Sequence, residues 1–339
     1  MALAAHVAVA RISGGGIFLP LFFNIMTEEN KIKRKVDIAE NLIRQGKFRE
    51  AIVLCEKIHK EYPEEESVVL ILSWAYYDSG QTDQAAKCLN ILLERELKRK
   101  IFTGFAFDEL VRIYKQNKDF GKLTEICERA VGAQPDDIGL LAELGNAYLQ
   151  SGQAKRACEI YEKIIGIESD NPVFYCHLGE ALFAAGLSNE SEQSYLKASE
   201  IDSDQPDRYY FKIAVLFQQA GNYEEAERLL NKCITVNSPN PLYHCSLGDA
   251  FVGLGQIQKA LTAYETAVQC DNSGAGAYYN RLGNSLMKAN HFSQAAEAFK
   301  SAITCDPVRL YYLNLASAYK RMGFADQSDM IMREINKVK

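Results

Sequence analysis

The chain has 339 residues with 38 basic and 44 acidic side chains, a formal net charge of −6. That balance speaks against a general nucleic-acid binder, which carries a basic footprint. With 47% hydrophobic and 24% charged residues the chain reads as a packed, soluble protein, not a disordered one. After residue 30 no stretch approaches the about 20 apolar residues that a membrane-spanning helix needs.

The chain opens on a segment unlike the rest. Residues 1–25 are apolar and glycine-rich, with Arg11 as their single charge, and the hydrophobic run from Ile17 to Phe23 is broken by Pro20. A secretory leader has an early charge, an unbroken apolar core and an Ala-x-Ala cleavage site; here the charge comes late, Pro20 interrupts the core and no Ala-x-Ala follows Phe23. Met26 begins a more ordinary start, MTEENKIKRK. The natural chain is therefore expected to start at Met26. A membrane-associating or export segment, and a tail packed on the first repeat, are the alternatives.

From residue 26 to 339 the punctuation is periodic. Gly46, Gly80, Gly152, Gly186, Gly221, Gly255 and Gly323 each follow one helical pattern and precede another, and Lys118 and Asn290 fill the two missing beats. The successive spacings are 34, 38, 34, 34, 35, 34, 35 and 33 residues, a period that marks an internal repeat. Glycine suits these points because a helix often ends on a left-handed residue. Pro63, Pro135, Asp202-Ser203, Ser238-Pro239, Asp271-Asn272 and Asp306-Pro307 close the other end of the units. Between the markers, apolar residues recur at helical spacing, which predicts two helices of about 14 residues per unit. The units start near residues 32, 66, 104, 138, 172, 207, 241, 276 and 309.

Packing logic is visible in the unit from 276. Gly283, Ala295 and Ala302 let two helices approach, while Tyr279, Leu282, Leu286 and Phe299 fill the space around them. Comparable sets recur as Leu141, Leu144, Gly145, Tyr148, Ala157 and Tyr161, as His244, Leu247, Gly248, Phe251, Ala260 and Tyr264, and as Tyr175, Leu178, Gly179, Leu182 and Tyr195. The unit from 104 departs from the pattern, with Val111 and Leu123 where small residues belong and a four-residue excess before it, which predicts a looser or bent junction.

These sets match aromatic-x2-Leu-Gly-x2-Tyr, then Ala-x3-Phe, then Pro. The chain resembles the tetratricopeptide-repeat family over about residues 31–339, in the manner of the many-repeat bacterial scaffolds. The resemblance implies an all-α fold, an open right-handed superhelical solenoid of about nine helix-turn-helix repeats. It also implies a concave groove lined by the first helix of each repeat, at its second, fifth, sixth, ninth, twelfth and thirteenth positions, where extended or helical peptides lie. Through that register the groove offers Leu70, Trp74 and Tyr77 early, and Phe183, Phe211, Val215 and Val252 with Glu180, Gln218 and Asp249 centrally. It ends in a donor-rich cluster of Asn280, Arg281, Asn284, Lys288, Asn314, Lys320 and Arg321.

Charge sharpens the contrast. Residues 171–272 hold 6 basic and 13 acidic side chains for a net of −7, whereas residues 273–339 hold 9 and 5 for a net of +4. An acidic partner segment is expected at the C-terminal repeats. Asn284 and Asn314 also fall at two asparagine positions of the carboxylate clamp found in some relatives. Asn280 stands where that clamp has a lysine, however, and no third repeat completes it. A solvated face of long polar side chains is the remaining option. Trp74 is either an aromatic anchor or a side chain covered by the excess residues before 104.

Catalysis and metal binding find no support in the residues. Gly14-Gly15-Gly16 lacks the Lys-Ser/Thr of a phosphate loop, and GxSxG, HExxH and CxxC are absent. Cys176-His177 and His244-Cys245 lie two repeats apart, too far to share a zinc ion, and His244 occupies an aromatic packing position. The asparagine ladder of glycosyltransferase relatives is missing apart from Asn314. No cofactor and no metal are expected.

The nine cysteines are scattered singly, mostly at positions suited to a small buried side chain. Their odd number points to a reducing compartment, the cytoplasm, with membrane association through residues 1–25 as the alternative. The expected function is a non-catalytic protein-binding scaffold. End-to-end self-assembly is the alternative, through Met330, Met332 and Ile335 on the last helix if they are uncovered, and RNA-binding helical repeats are a distant third.

Overall fold

The structure is a computed structural model that describes residues 19–100 and 102–335. Those residues form eighteen α-helices, a single-turn 3-10 helix at Asn272–Gly274 and no strand. They fall into two units, Met1–Pro135 and Asp136–Lys339.

The first unit holds α1 (Leu19–Arg44), α2 (Phe48–Glu61), α3 (Glu66–Asp78), α4 (Thr82–Arg99), α5 (Phe105–Asn117) and α6 (Phe120–Ala133). The second holds α7 (Ile138–Gln150), α8 (Ala154–Ile167), α9 (Pro172–Ala184), α10 (Ser188–Ile201), α11 (Pro206–Gln219) and α12 (Tyr223–Val236). It continues with α13 (Pro241–Gly253), α14 (Ile257–Cys270), α15 (Ala275–Lys288), α16 (Phe292–Cys305), α17 (Arg309–Arg321) and α18 (Ala325–Ile335). Within each unit every helix packs on the next in sequence. The first helices of the pairs also touch one another, α1 with α3, α9 with α11, and α13 with α15 and α15 with α17.

The turns inside the pairs are set by backbone handedness. Gly46, Gly80, Gly152, Gly186, Gly221, Gly255 and Gly323 all have positive φ, and so do Lys118 (55°) and Asn290 (62°). Each ends its helix with the amide of the following residue donating back to a carbonyl in the last turn, as His291 does to Leu286 at 2.9 Å. At the opposite ends, side-chain caps start helices. Asp137 accepts from the Leu140 amide at 2.9 Å, and Asn240 from the Leu242 amide at 3.0 Å. Pro172, Pro206 and Pro241 begin α9, α11 and α13, where a missing N–H costs nothing.

Packing inside the pairs follows the glycines of the first helix. A methyl group on Gly145 would lie 2.7 Å from the ring of Tyr161, and one on Gly248 would lie 2.5 Å from Tyr264. Tyr161, Tyr195, Tyr264 and Phe299 are accordingly among the largest fully buried side chains. Where the first helix carries a larger residue, the residue at the corresponding register position of the second helix is smaller: Leu230 for Ala214, Leu89 for Ser73, and Cys127 for Val111. That exchange accommodates Val111.

The four-residue excess before 104 becomes helix. α4 has 18 residues against 14 in α2 and α6, close to one added turn. The added turn is tied back, with Arg95 donating to the carbonyl of Pro63 at 2.7 Å and Arg99 paired with Glu66 at 2.8 Å. At the start of the chain, α1 begins at Leu19, upstream of Met26, and the expectations for residues 1–18 lie outside the described residues. No helix among the described residues is long and apolar enough to cross a membrane.

Candidate functional site

The first helices of three successive pairs bring one set of side chains into a cleft. α11 contributes Val215, Gln218 and Gln219, α13 contributes Asp249, Val252 and Gly253, and α15 contributes Ser285 and Lys288, with Ala289 just past its end. The cleft has a volume of about 520 Å³. Tyr223 closes one side, its ring packed against Gly253, where a methyl group would lie 2.5 Å from it.

A hydrogen-bonded floor holds this cleft in shape. The Asp249 carboxylate accepts from Tyr264 Oη at 2.6 Å, from Arg281 Nε at 2.8 Å and from the Ser285 hydroxyl. Arg281 also donates to Ser246 Oγ at 2.9 Å, and Gln218 Nε2 to the Ser246 carbonyl at 2.7 Å. Four helices, α11, α13, α14 and α15, are thus locked through two residues of α13, Ser246 and Asp249. Burial and then the nearby Asp249 carboxylate push the Tyr264 hydroxyl well above its usual pKa. Burial is the largest single influence on Arg281 and would lower its pKa, but Asp249 together with Tyr264 and Cys245 outweighs it and holds the guanidinium above its usual value. The floor is a fixed ion pair whose polar groups serve each other.

The predicted donor cluster therefore divides. Arg281 is committed to Asp249 at 2.7 Å, and Asn280 accepts from Asn314 at 2.8 Å. Arg321 lies over the Phe292 ring, 4.8 Å from its centroid. Asn284, Lys288 and Lys320 are exposed, and Lys288 alone of the cluster lines the cleft. Phe183 meets Phe217 edge-on at 5.3 Å and Phe211 tilts against Tyr243 at 5.1 Å, so both are half-buried in contacts between pairs.

In the first unit, Trp74 is 40% exposed, so the residues before 104 do not bury it. It lines a smaller cleft of about 210 Å³ with Tyr77, Asp78, Glu109 and Arg112. The Arg112 guanidinium stacks over the Tyr77 ring, 4.2 Å from its centroid, and pairs with Glu109.

Sequence reasoning missed Tyr223 and Gly253. A signal existed: Gly253 sits two residues before the turn glycine Gly255, and a second glycine with no turn to make marks a close approach. His177 and His244 serve packing. His244 Nε2 lies 2.7 Å from the Ser238 carbonyl, and His177 stacks on Tyr161 at 5.4 Å. Among the described residues no three His, Cys, Asp or Glu side chains converge as metal ligands.

Family models described as tetratricopeptide repeat match residues 42–100, 138–171, 173–205 and 211–277, together more than half of the chain. The chain belongs to the tetratricopeptide-repeat family. No curated protein matches it in sequence. Among solved structures, a tetratricopeptide repeat protein from Parabacteroides merdae ATCC 43184 is 17% identical, with a TM-score of 0.48 over 75% of this chain and 98% of that one. Yeast Tom70 is 13% identical, with a TM-score of 0.39 over 94% and 90%. MamA from Desulfovibrio magneticus RS-1, from its residue 41 to its end, is 14% identical, with a TM-score of 0.37 over 49% and 94%. In tetratricopeptide-repeat terms, the larger cleft lies on the first helices of three consecutive repeats.

Proposed function

We propose that this chain is a non-catalytic scaffold that seats a segment of a partner protein along its first helices, chiefly over α11, α13 and α15. One observation carries the proposal: the open cleft there has a floor already satisfied by its own ion pair, so a ligand meets a preformed surface. Val215 and Tyr223 offer apolar contact, and Lys288 is the one cation on the lining. The matching ligand is an extended segment with a large apolar side chain beside a carboxylate. Because Arg281 is neutralised by Asp249, the acidic segment is met by Lys288, with Asn284 and Lys320 near the C-terminal end of the same series of helices. Nine cysteines with no disulfide among them fit a reducing compartment such as the cytoplasm.

A peptide library displayed against the full chain tests this proposal. Selected peptides are expected to pair an apolar residue with Asp or Glu, and Val215→Asp and Lys288→Glu each to weaken them about tenfold, the effect of about 1.4 kcal/mol. Selected peptides that bind both variants as well as the parent would rule out this cleft.

A further inference from the structure

The left-handed turn residue of each pair gives all the pairs a common register. The residue eight places before it, on the first helix, runs from Leu72 and Leu110 to Leu282 and Leu315 and is never more than 9% exposed. In the first pair that residue is Ile38, and it is 54% exposed. The residue nine places after the turn, on the second helix, is buried from Cys55 and Leu89 through Tyr264 and Phe299. In the last pair it is Met332, 45% exposed. The residue seven places after the turn is polar or charged in every intervening pair, as in Lys87, Glu159 and Glu297. It is apolar in the first and last pairs alone, as Val53 (67% exposed) and Met330 (61% exposed). Ile335, by contrast, is buried.

Both end pairs therefore expose apolar side chains at register positions that the interior buries or makes polar. We infer that the last helix pair of one chain docks on the first helix pair of a second copy. Interior junctions supply the geometry, because α3 covers α2 and α17 covers α16. α18 carries the same kind of surface as α16 with no helix of the described chain over it, and α1 stands in the first pair as α3 and α17 stand in theirs. Charge selects the same pairing. α18 exposes Asp326, Asp329 and Glu334 against Arg333, while α1 exposes Lys31, Lys33, Arg34 and Arg44 against Asp37. The contact is heterologous, so repetition yields a ring or an open chain of copies.

Sedimentation velocity of the full chain over a range of concentrations tests the inference, beside Ile38→Glu and Met332→Glu. Both substitutions fall at exposed positions, and circular dichroism verifies that the helices are kept. The parent is expected to associate as concentration rises, and each variant to remain a single chain. An equimolar mixture of the two variants is expected to form a one-to-one pair and nothing larger, since only one intact junction exists between them. A parent that stays single at every concentration overturns the inference. If deletion of residues 1–18 then releases association, that segment, not a second copy, is the occupant of the first pair. A variant that still associates, or a mixture that fails to pair, overturns it equally.

Discussion

Gly145, Gly179, Gly248 and Gly283 set how closely the two helices of their pairs approach, because each lies under an aromatic ring of the second helix. Overfilling such a contact costs about 1–3 kcal/mol. Gly248→Ala is expected to destabilise the chain by that amount in denaturant titrations. Adding Tyr264→Leu is expected to cost less than the two single changes summed, because the chain already uses Ala214 against Leu230. The glycines and aromatics were legible from their spacing, and so was the burial of most cysteines. The partner of Arg281 was not legible. Asp249 lies thirty-two residues earlier, and only the stacking of α15 on α13 shows that the two meet.

The buried thiols link structure to pH. Burial, with a smaller contribution from neighbouring charge, pushes Cys55 and Cys88 up from 9.0 to about 11. In the unfolded chain they ionise near the ordinary value, so high pH favours unfolding. Their contribution is fully present below about pH 9 and is lost as pH rises towards 11. Thermal melts of the reduced chain are expected to fall across that window. At neutral pH, alkylation of the folded chain is expected to reach the exposed Cys270 and Cys305 before the seven buried cysteines.

At the scale of the element, the turn residue fixes where one helix stops and the next begins. Lys118 holds φ at 55° with a side chain that gains nothing from it. Lys118→Gly is expected to stabilise the chain by about 1 kcal/mol, read as a raised melting temperature. Asn290→Gly is expected to gain less, since asparagine tolerates the left-handed region. Spacing alone revealed both turns, because a missing glycine leaves the period intact. The length of α4 was harder to read. Four extra residues fit a loop as well as a helical turn in the sequence, and Arg95 and Arg99 bonding back to the Pro63–Glu66 turn favour the helix.

At the scale of the whole molecule, the sequence shows a repeat and says little about its partner, because one scaffold serves many ligands. The C-terminal charge excess was visible, but how many of its donors face solvent was not. Pairing of Arg281 with Asp249 and of Asn280 with Asn314 leaves Lys288 as the cation on the cleft. The most direct measurement is photo-crosslinking in source cells, with benzoylphenylalanine placed at Val215 in the cleft or at the exposed Thr262 on a second helix. A covalent protein adduct at Val215, and none at Thr262, is expected if partners lie along the first helices. Adducts at Thr262 with none at Val215 would contradict binding in the cleft and move the partner surface to the second helices.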